Sequence, residues 1–227
     1  MINLFTGFDK QEEIGTHVFH SSVIHRSSSS VSFVPLHLPM LCNYRELHKD
    51  GTNAFTYTRF LIPHLMHYSG WALFCDGADM VCVGDIAELW ALRDPFKAVQ
   101  VVKHEYKTRH PRKYVGTLME SANEDYPRKN WSSVMLINCS HYDWRRLDPT
   151  TISHMTGAEL NRLEFTAERF IGEIPIEWNW LVDEYGTNNH ANILHWTAGM
   201  PAFEHYKDAP MAQEWRAAHA RVNHADQ

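Results

Sequence analysis

The stretch Trp71-Ala-Leu-Phe-Cys-Asp-Gly-Ala-Asp-Met-Val-Cys-Val-Gly-Asp-Ile86 sets the terms for the whole chain. Its first residues, Trp71 to Cys75, are apolar without interruption, as in a strand buried on both faces. Asp76 and Asp79 follow, separated by Gly77 and Ala78, and apolar character resumes in Met80 to Val83. Carboxylates set between two buried strands are costly unless their charge is compensated. A divalent cation compensates both at once, and Mg²⁺ or Mn²⁺ prefers one or two carboxylates with waters and substrate phosphates. His195, ending a short apolar strand, is a third candidate ligand, and imidazole beside carboxylates leans towards Mn²⁺. The competing interpretation is a plain Asp-Gly turn with a hydrogen-bonded core histidine.

The remainder of the chain is compatible with machinery around that pair. At 227 residues there is enough chain for a sizeable core, and 44% hydrophobic with 21% charged residues argues against disorder. The net charge of −6 argues against broad nucleic-acid binding, leaving room for a local basic patch. No apolar run approaches the roughly 18 to 20 residues that span a bilayer. The N-terminus shows neither a charged leader segment nor a cleavage site. Cys42, Cys75, Cys82 and Cys139 fall in different segments, which suggests reduced thiols of a cytoplasmic protein.

In chain order, Ile2 to Phe5 forms a short strand closed by Thr6-Gly7. Asp9 and Glu12 form a capping-box pattern before a helix with Ile14, Val18, Phe19 and Val23 inward. Val31 to Leu36 is a second strand, so the chain opens with a right-handed βαβ unit. Ligands of such sheets bind beyond the carboxyl ends of the strands, which puts Thr6, Gly7 and Phe8 at the rim. Phe55 to Tyr68 is helical but must kink or restart at Pro63. Asp85 and Glu88 again resemble a capping box. Ala98 to Val102 and Ser132 to Asn138 are further strands, Asn161 to Phe170 is helical, and Ile171 to Ile176 is extended. Met211 to Val222 is an amphipathic helix, within a C-terminal helix at about 210–222 of one domain spanning 1–227.

Lys103 to Lys113 breaks the neutral background with five Lys or Arg against one Glu. It is either a solvated basic loop or a phosphate site, the second favoured because it begins where a buried strand ends. Trp131, Trp178, Trp180 and Trp196 could stack on a sugar or base, although core packing with a bonded ring nitrogen is the commoner role.

The order of these features resembles the retaining nucleotide-sugar glycosyltransferases of the GT-A fold, of the family 8 type that includes glycogenin and bacterial lipopolysaccharide galactosyltransferases. Phe55-Thr-Tyr-Thr-Arg-Phe-Leu61 resembles the family's Arg-containing helix, with Arg59 matching. Phe74 to Ile86 resembles its D-x-D block, closed by Gly84-Asp85-Ile86. Asn130 to Asn138 resembles the strand that lines the sugar pocket, and Leu194 to Pro201 the C-terminal element with the third metal ligand. The likeness runs from about residue 2 to 206.

The resemblance implies an α/β GT-A (Rossmann-like) fold with a central, mainly parallel sheet flanked by helices. It implies a UDP-sugar hexosyltransferase with Mn²⁺ or Mg²⁺ on Asp79, His195 and Asp76. Nucleotide-sugar contacts are then expected from Phe5, Thr6, Gly7, Arg59, Asp76, Gly77, Asn130, Ser132, Ser133 and Gly199. Two departures matter. Asp76-Gly-Ala-Asp79 is one residue longer than the family's Asp-Ala-Asp, and counting back from Asp85 makes Asp79 the firmer ligand, with Asp76 on metal or ribose. The C-terminal element lacks the family's Lys, which supports the leaving diphosphate, and Lys103, Lys129 or a neighbouring Arg are candidates to replace it. Asn138, Glu164, Glu168 and Asn179 are candidates to orient the sugar. A saccharide, lipid-linked or small-molecule acceptor ranks above modified bases in DNA. Alternatives are a nucleotidyltransferase or phosphohydrolase, or a sugar-nucleotide-binding scaffold on an inactive glycosyltransferase fold.

Overall fold

The computed structural model describes residues 1–223. Strand β1 (Ile2–Phe8) leads through helix α1 (Glu13–Arg26) to β2 (Val31–His37), and the two strands pair in parallel from Ile2↔Val31 to Phe8↔His37. Strand β3 (Trp71–Cys75) joins the other side of β1, also in parallel. The chain continues with β4 (Met80–Cys82), β5 (Val99–Val101), β6 (Arg112–Lys113), β7 (Ser121–Ala122), β8 (Val134–Asn138), β9 (Ile171–Glu173), β10 (Trp180–Leu181) and β11 (Ile193–His195). The shorter helices are α2 (Ile62–Leu65), α3 (Ile86–Ala91), α4 (Pro149–His154), α5 (Gly157–Asn161) and α6 (Val182–Tyr185), and α7 (Ala212–Asn223) comes last.

The main sheet has six strands in the order β2-β1-β3-β8-β5-β9. Because β8 is antiparallel to both β3 and β5, five strands run one way and β8 runs against them. Successive residues alternate between its two faces, as the period of a strand requires. Phe5, Ala72, Phe74, Met135 and Ile137 pack on one side. Leu4, Leu73, Cys75, Val134 and Leu136 pack on the other. Each fully buried Val, Leu, Ile, Phe or Met among them is worth about 1.5–3 kcal/mol of transfer free energy.

The apolar residues after Asp79 do not extend this sheet. They form β4, which pairs with β11 in a smaller sheet of order β10-β11-β4. The acidic turn is therefore the crossing from one sheet to the other. Helices α1 and α7 cover the small sheet through Val18, Val81, Leu194, Trp196 and Trp215. Helix α1 lies so close to the turn that a Cβ on Gly15 would sit 1.7 Å from the Ala78 carbonyl oxygen.

Several local expectations are corrected. Strand β1 runs through Thr6 and Gly7 to Phe8, because all three pair with β2. Asp9 caps a single turn by accepting from the Gln11 amide at 2.9 Å, and Glu12 makes no reciprocal cap. Glu12 is instead buried, and burial followed by the charges of Asp79, Asp9 and Asp76 pushes its carboxyl well above the usual range. Asp85 caps α3 through the Ala87 amide and also accepts from the Ser28 amide. The segment around Pro63 is a tight turn, Thr58–Leu61, followed by α2, with Pro63 in the first helical turn where its missing N–H costs nothing. The helix expected over Asn161 to Phe170 fails because α5 ends at Asn161 and Leu163 takes a left-handed φ of 56°. Strand β9 stops at Glu173, and a turn over Ile176–Asn179 follows Pro175. The four cysteines are free thiols. No helix among the described residues is long and apolar enough to cross a membrane.

His104 is 4% exposed, and burial first, with a small contribution from His195, lowers its pKa from 6.5 to about 3. The unfolded chain therefore binds a proton that the folded chain refuses between these values. Stability from this residue is complete above about 6.5 and is lost as pH falls towards about 3, by about 1.4 kcal/mol per pH unit. His104→Gln should flatten the fall of the thermal midpoint between pH 6.5 and 4.5. An unchanged slope would show that other groups carry it.

Candidate active site

Asp76 is the first residue beyond the carboxyl end of β3, and its amide donates to the Ser133 carbonyl at 2.9 Å. Gly77 adopts a φ of 78°, which turns the chain sharply, and the turn is closed by the Ala78 amide on the Asp76 carbonyl at 2.9 Å. Asp79 then immediately precedes β4. Antiparallel pairing sets His195 opposite Met80, and the Trp196 amide donates to the Asp79 carbonyl at 2.9 Å. Sheet register thus brings together two residues far apart in sequence. His195 Nε2 lies 3.3 Å from Asp79 Oδ1. Asp76, Asp79 and His195 each present one ligand atom, all within 4.8 Å of one another, an arrangement that can hold a metal ion. Apart from His195, Asp79 Oδ1 is buried with no possible donor beside it among the described residues, as suits an oxygen that meets a cation.

The histidine is oriented from below. Asn179, fully buried, donates from Nδ2 to Ser133 Oγ at 2.8 Å and to the Asn130 carbonyl at 3.3 Å. Its Oδ1 is thereby left for His195 Nδ1, 2.8 Å away. Nδ1 then donates to Asn179, which leaves Nε2 as the nitrogen that faces Asp79 and that would ligate a cation in neutral His195. Burial pulls the His195 pKa down, but Asp79, Asp76 and Asp183 outweigh it and leave the value raised. A bound cation would supply counter-charge to the same carboxylates. Asp76 has a different partner. Arg59 Nη1 stands 2.6 Å from its Oδ1, donates to the Ser132 carbonyl at 2.8 Å, and lies over the Phe74 ring. Burial, with Asp79 adding and Arg59 opposing, raises the Asp76 carboxyl to about 6.

A cavity of about 100 Å³ opens over these groups, lined by Arg59, Asp76, Asp79 and His195 together with Asn130, Ser132 and Ser133. Other expected site residues lie elsewhere. Phe5 is in the core, Thr6 is buried with its hydroxyl 2.9 Å from His20 Nε2, and the Phe55 ring covers Gly7. Gly77 backs onto Thr6, and Gly199 lies under the Tyr206 ring. Asn138 is paired with Trp71 at the opposite end of β3 from Asp76 and holds the Pro95 and Lys97 carbonyls. Glu168 bridges Lys103 at 3.0 Å and Arg128 at 2.6 Å, and Glu164 is exposed, 3.8 Å from Arg162, so none of Lys103, Glu164 and Glu168 lines the cavity. Lys129 lines a neighbouring, larger cavity. The ring nitrogens of Trp131, Trp180 and Trp196 are bonded to the carbonyls of His104, Gly186 and Pro210, and Trp178 is in the core.

The sequence did not single out Lys113, which lines the small cavity. The Tyr114 amide donates to the Ala198 carbonyl at 2.7 Å, and the Val115 amide donates to the Tyr206 hydroxyl at 3.0 Å. These bonds dock the β6–β7 hairpin on the segment after His195, beside the element that lacks its lysine. Among the described residues Lys113 forms no ion pair, and its ammonium lies over the Tyr114 ring at 5.7 Å. Its place within a run of basic residues was the only signal, and that run could not say which member turns inward.

A mainly parallel sheet, a smaller second sheet and an acidic turn between them are the GT-A architecture. Residues 7–208 match the model of Glycosyl transferase family 8, and the chain belongs to that family. Protein CDI of Arabidopsis thaliana is 35% identical over 221 residues, covering 93% of this chain and 83% of its own. The galactosyltransferase LgtC, solved in complex with donor and acceptor sugar analogs, superposes with a TM-score of 0.62 at 12% identity, over 100% of this chain and 98% of its own. The bifunctional glycosyltransferase WbbM gives a TM-score of 0.68 at 12% identity over 96% of this chain, which spans about half (49%) of that protein.

Breaking a buried ion pair on one side leaves an uncompensated charge, at a cost of about 3–5 kcal/mol. Arg59→Met should lower the stability of the metal-free protein to that extent, and adding Asp76→Asn should restore part of it. Denaturant unfolding of both variants measures the coupling, and simple additivity would rule it out.

Proposed function

We propose that the enzyme transfers a hexose or related sugar from a UDP-sugar to an acceptor hydroxyl, with retention at the anomeric carbon. The convergence of Asp76, Asp79 and His195 beneath one polar cavity carries this assignment. The donor set, two carboxylates and an imidazole with its outer nitrogen fixed by Asn179, suits Mn²⁺, or Mg²⁺ as a harder substitute. Asp79 and His195 are the firm ligands. Asp76, tied to Arg59, completes the set or meets the ribose. When bound, the cation neutralises charge on the diphosphate.

The chain's own groups do the rest. The bond from the anomeric carbon to the diphosphate oxygen breaks, the acceptor oxygen bonds to that carbon, and the acceptor proton leaves with the diphosphate. The products are a glycoside and UDP. Positive charge develops on the sugar and negative charge on the departing group. Lys113, facing the same cavity without an ion pair among the described residues, supplies a positive charge for that group in place of the missing family lysine. Asn130, Ser132 and Ser133 offer hydrogen bonds along the cavity wall, held by Arg59 and Asn179. Free thiols fit a reducing compartment such as the cytoplasm.

Incubation with a panel of UDP-sugars and Mn²⁺ should release UDP and free sugar slowly, and Asp79→Ala should abolish the release. Metal-independent binding without turnover would point to a scaffold on the same fold. Lys113→Gln should lower kcat/KM by about 10²–10³-fold, whereas Lys103→Gln should stay within a few-fold of wild type. Equal effects of the two substitutions would remove Lys113 from the proposed role.

A further inference from the structure

The small cavity over the metal ligands does not stand alone. At about 100 Å³ it falls short of the roughly 300–1,000 Å³ of small-molecule sites. On one side it shares Thr52 and Asn53 with a cavity of about 270 Å³ that includes Asp9, just beyond the end of β1. On the other it shares Lys113, Asn130, Asn161 and Thr197 with a chamber of about 660 Å³. Thr52 lines all three, and Lys49, Gly51 and Tyr57 line both larger cavities, so the small cavity is the throat of one branched cleft. In a nucleotide-binding sheet the room beyond the first strand suits the nucleoside, which leaves the larger room for the acceptor.

The larger room has a distinct charge. Lys129 and Arg162 line it and line neither the throat nor the smaller room, whereas Lys49 lines both rooms. Of its acidic lining residues, Asp50 already accepts from the Tyr57 hydroxyl at 2.7 Å, and Glu124 is exposed. Among the described residues Arg162 Nε is buried with no hydrogen-bond partner, and the carboxylate nearest its guanidinium, Glu164, stands 3.8 Å from Nη1. Lys129 is buried, donates to Asn123 Oδ1 at 2.7 Å, and keeps Asp125 at 3.7 Å. Arg162 is partly exposed and Lys129 buried, and with their carboxylates no nearer than 3.8 Å and 3.7 Å, both cations remain able to take an oxyanion from the chamber. On the reading of this enzyme as a UDP-sugar transferase, we infer that the acceptor carries an anionic group, phosphate or carboxylate, seated between Arg162 and Lys129. Arg162 offers a planar fork of donors and Lys129 a point charge, the combination that suits oxyanions.

Calorimetry with glucose 6-phosphate and with glucose, in the presence of UDP and Mn²⁺, tests this without requiring turnover. The phosphorylated sugar should bind at least about tenfold more tightly. Arg162→Gln and Lys129→Gln should each reduce that preference to within about twofold, while Lys107→Gln, on the exposed basic loop, should leave it. Circular dichroism and thermal melting check that the variants fold, and Arg162→Lys, which keeps the charge, should recover part of the preference. Equal binding of the two sugars, or displacement of glucose 6-phosphate by UDP, overturns the inference, the second because the anion seat would then belong to the donor. The same phosphorylated sugar on a short prenyl carrier separates a soluble acceptor from a lipid-linked one, and preference for either supports the anionic class. Turnover of UDP-sugars with no anion preference sinks only this inference. Anion preference without turnover of any UDP-sugar sinks only the transferase reading.

Discussion

Two carboxylates and an imidazole are held together where one sheet ends and another begins, and much of the molecule is arranged to make that tolerable. Asp79 leads into β4, His195 closes β11, and their antiparallel register leaves Nε2 3.3 Å from Oδ1. Buried charge of one sign demands an answer. Here the answers are graded: Arg59 pairs with Asp76, the carboxylates raise the pKa of His195, and a cation would supply further counter-charge.

This constraint explains features that otherwise look unrelated. Gly77 must take a left-handed φ so that both acids can flank one turn. Gly15 has no side chain because α1 rests directly on that turn. Asn179 sits at zero exposure, between Ser133 on the approach to the main sheet and His195 in the small one, so a single amide ties the two sheets and sets the tautomer. The hairpin bearing Lys113 is fastened to the segment after His195 by main-chain bonds. That fastening sets a positive charge from a separate element at the small cavity.

Much of the architecture was legible because strands and helices advertise themselves by period. The βαβ opening, β3, β8 and the terminal helix follow from apolar runs and their spacing. The failures have local causes. A left-handed Leu163 ended a helix whose pattern continued past it. Thr6 and Gly7 look like a turn in isolation but are held in β1 by pairing to β2. Glu12 fits a cap by spacing, yet burial beside the acidic turn claims it. Among the site residues, Asp76, Asp79, Arg59 and His195 stood out by motif and meet over one cavity, whereas Glu164, Glu168 and Lys103 stood out by charge alone and satisfy one another or Arg162 and Arg128 at the surface.

By itself the sequence determined the class of fold and the chemical kind of its centre, because hydrophobic period and the placing of acids at a strand end are local properties. It could not determine that β4 belongs to a second sheet, that Asn179 rather than an acid supports the histidine, or that Lys113 alone of its basic run turns into the throat. Those outcomes rest on sheet register and on main-chain bonds between segments far apart in the chain, such as Tyr114 to Ala198. Pairing of that kind is decided by which surfaces meet in the folded molecule, and no stretch of residues carries it alone.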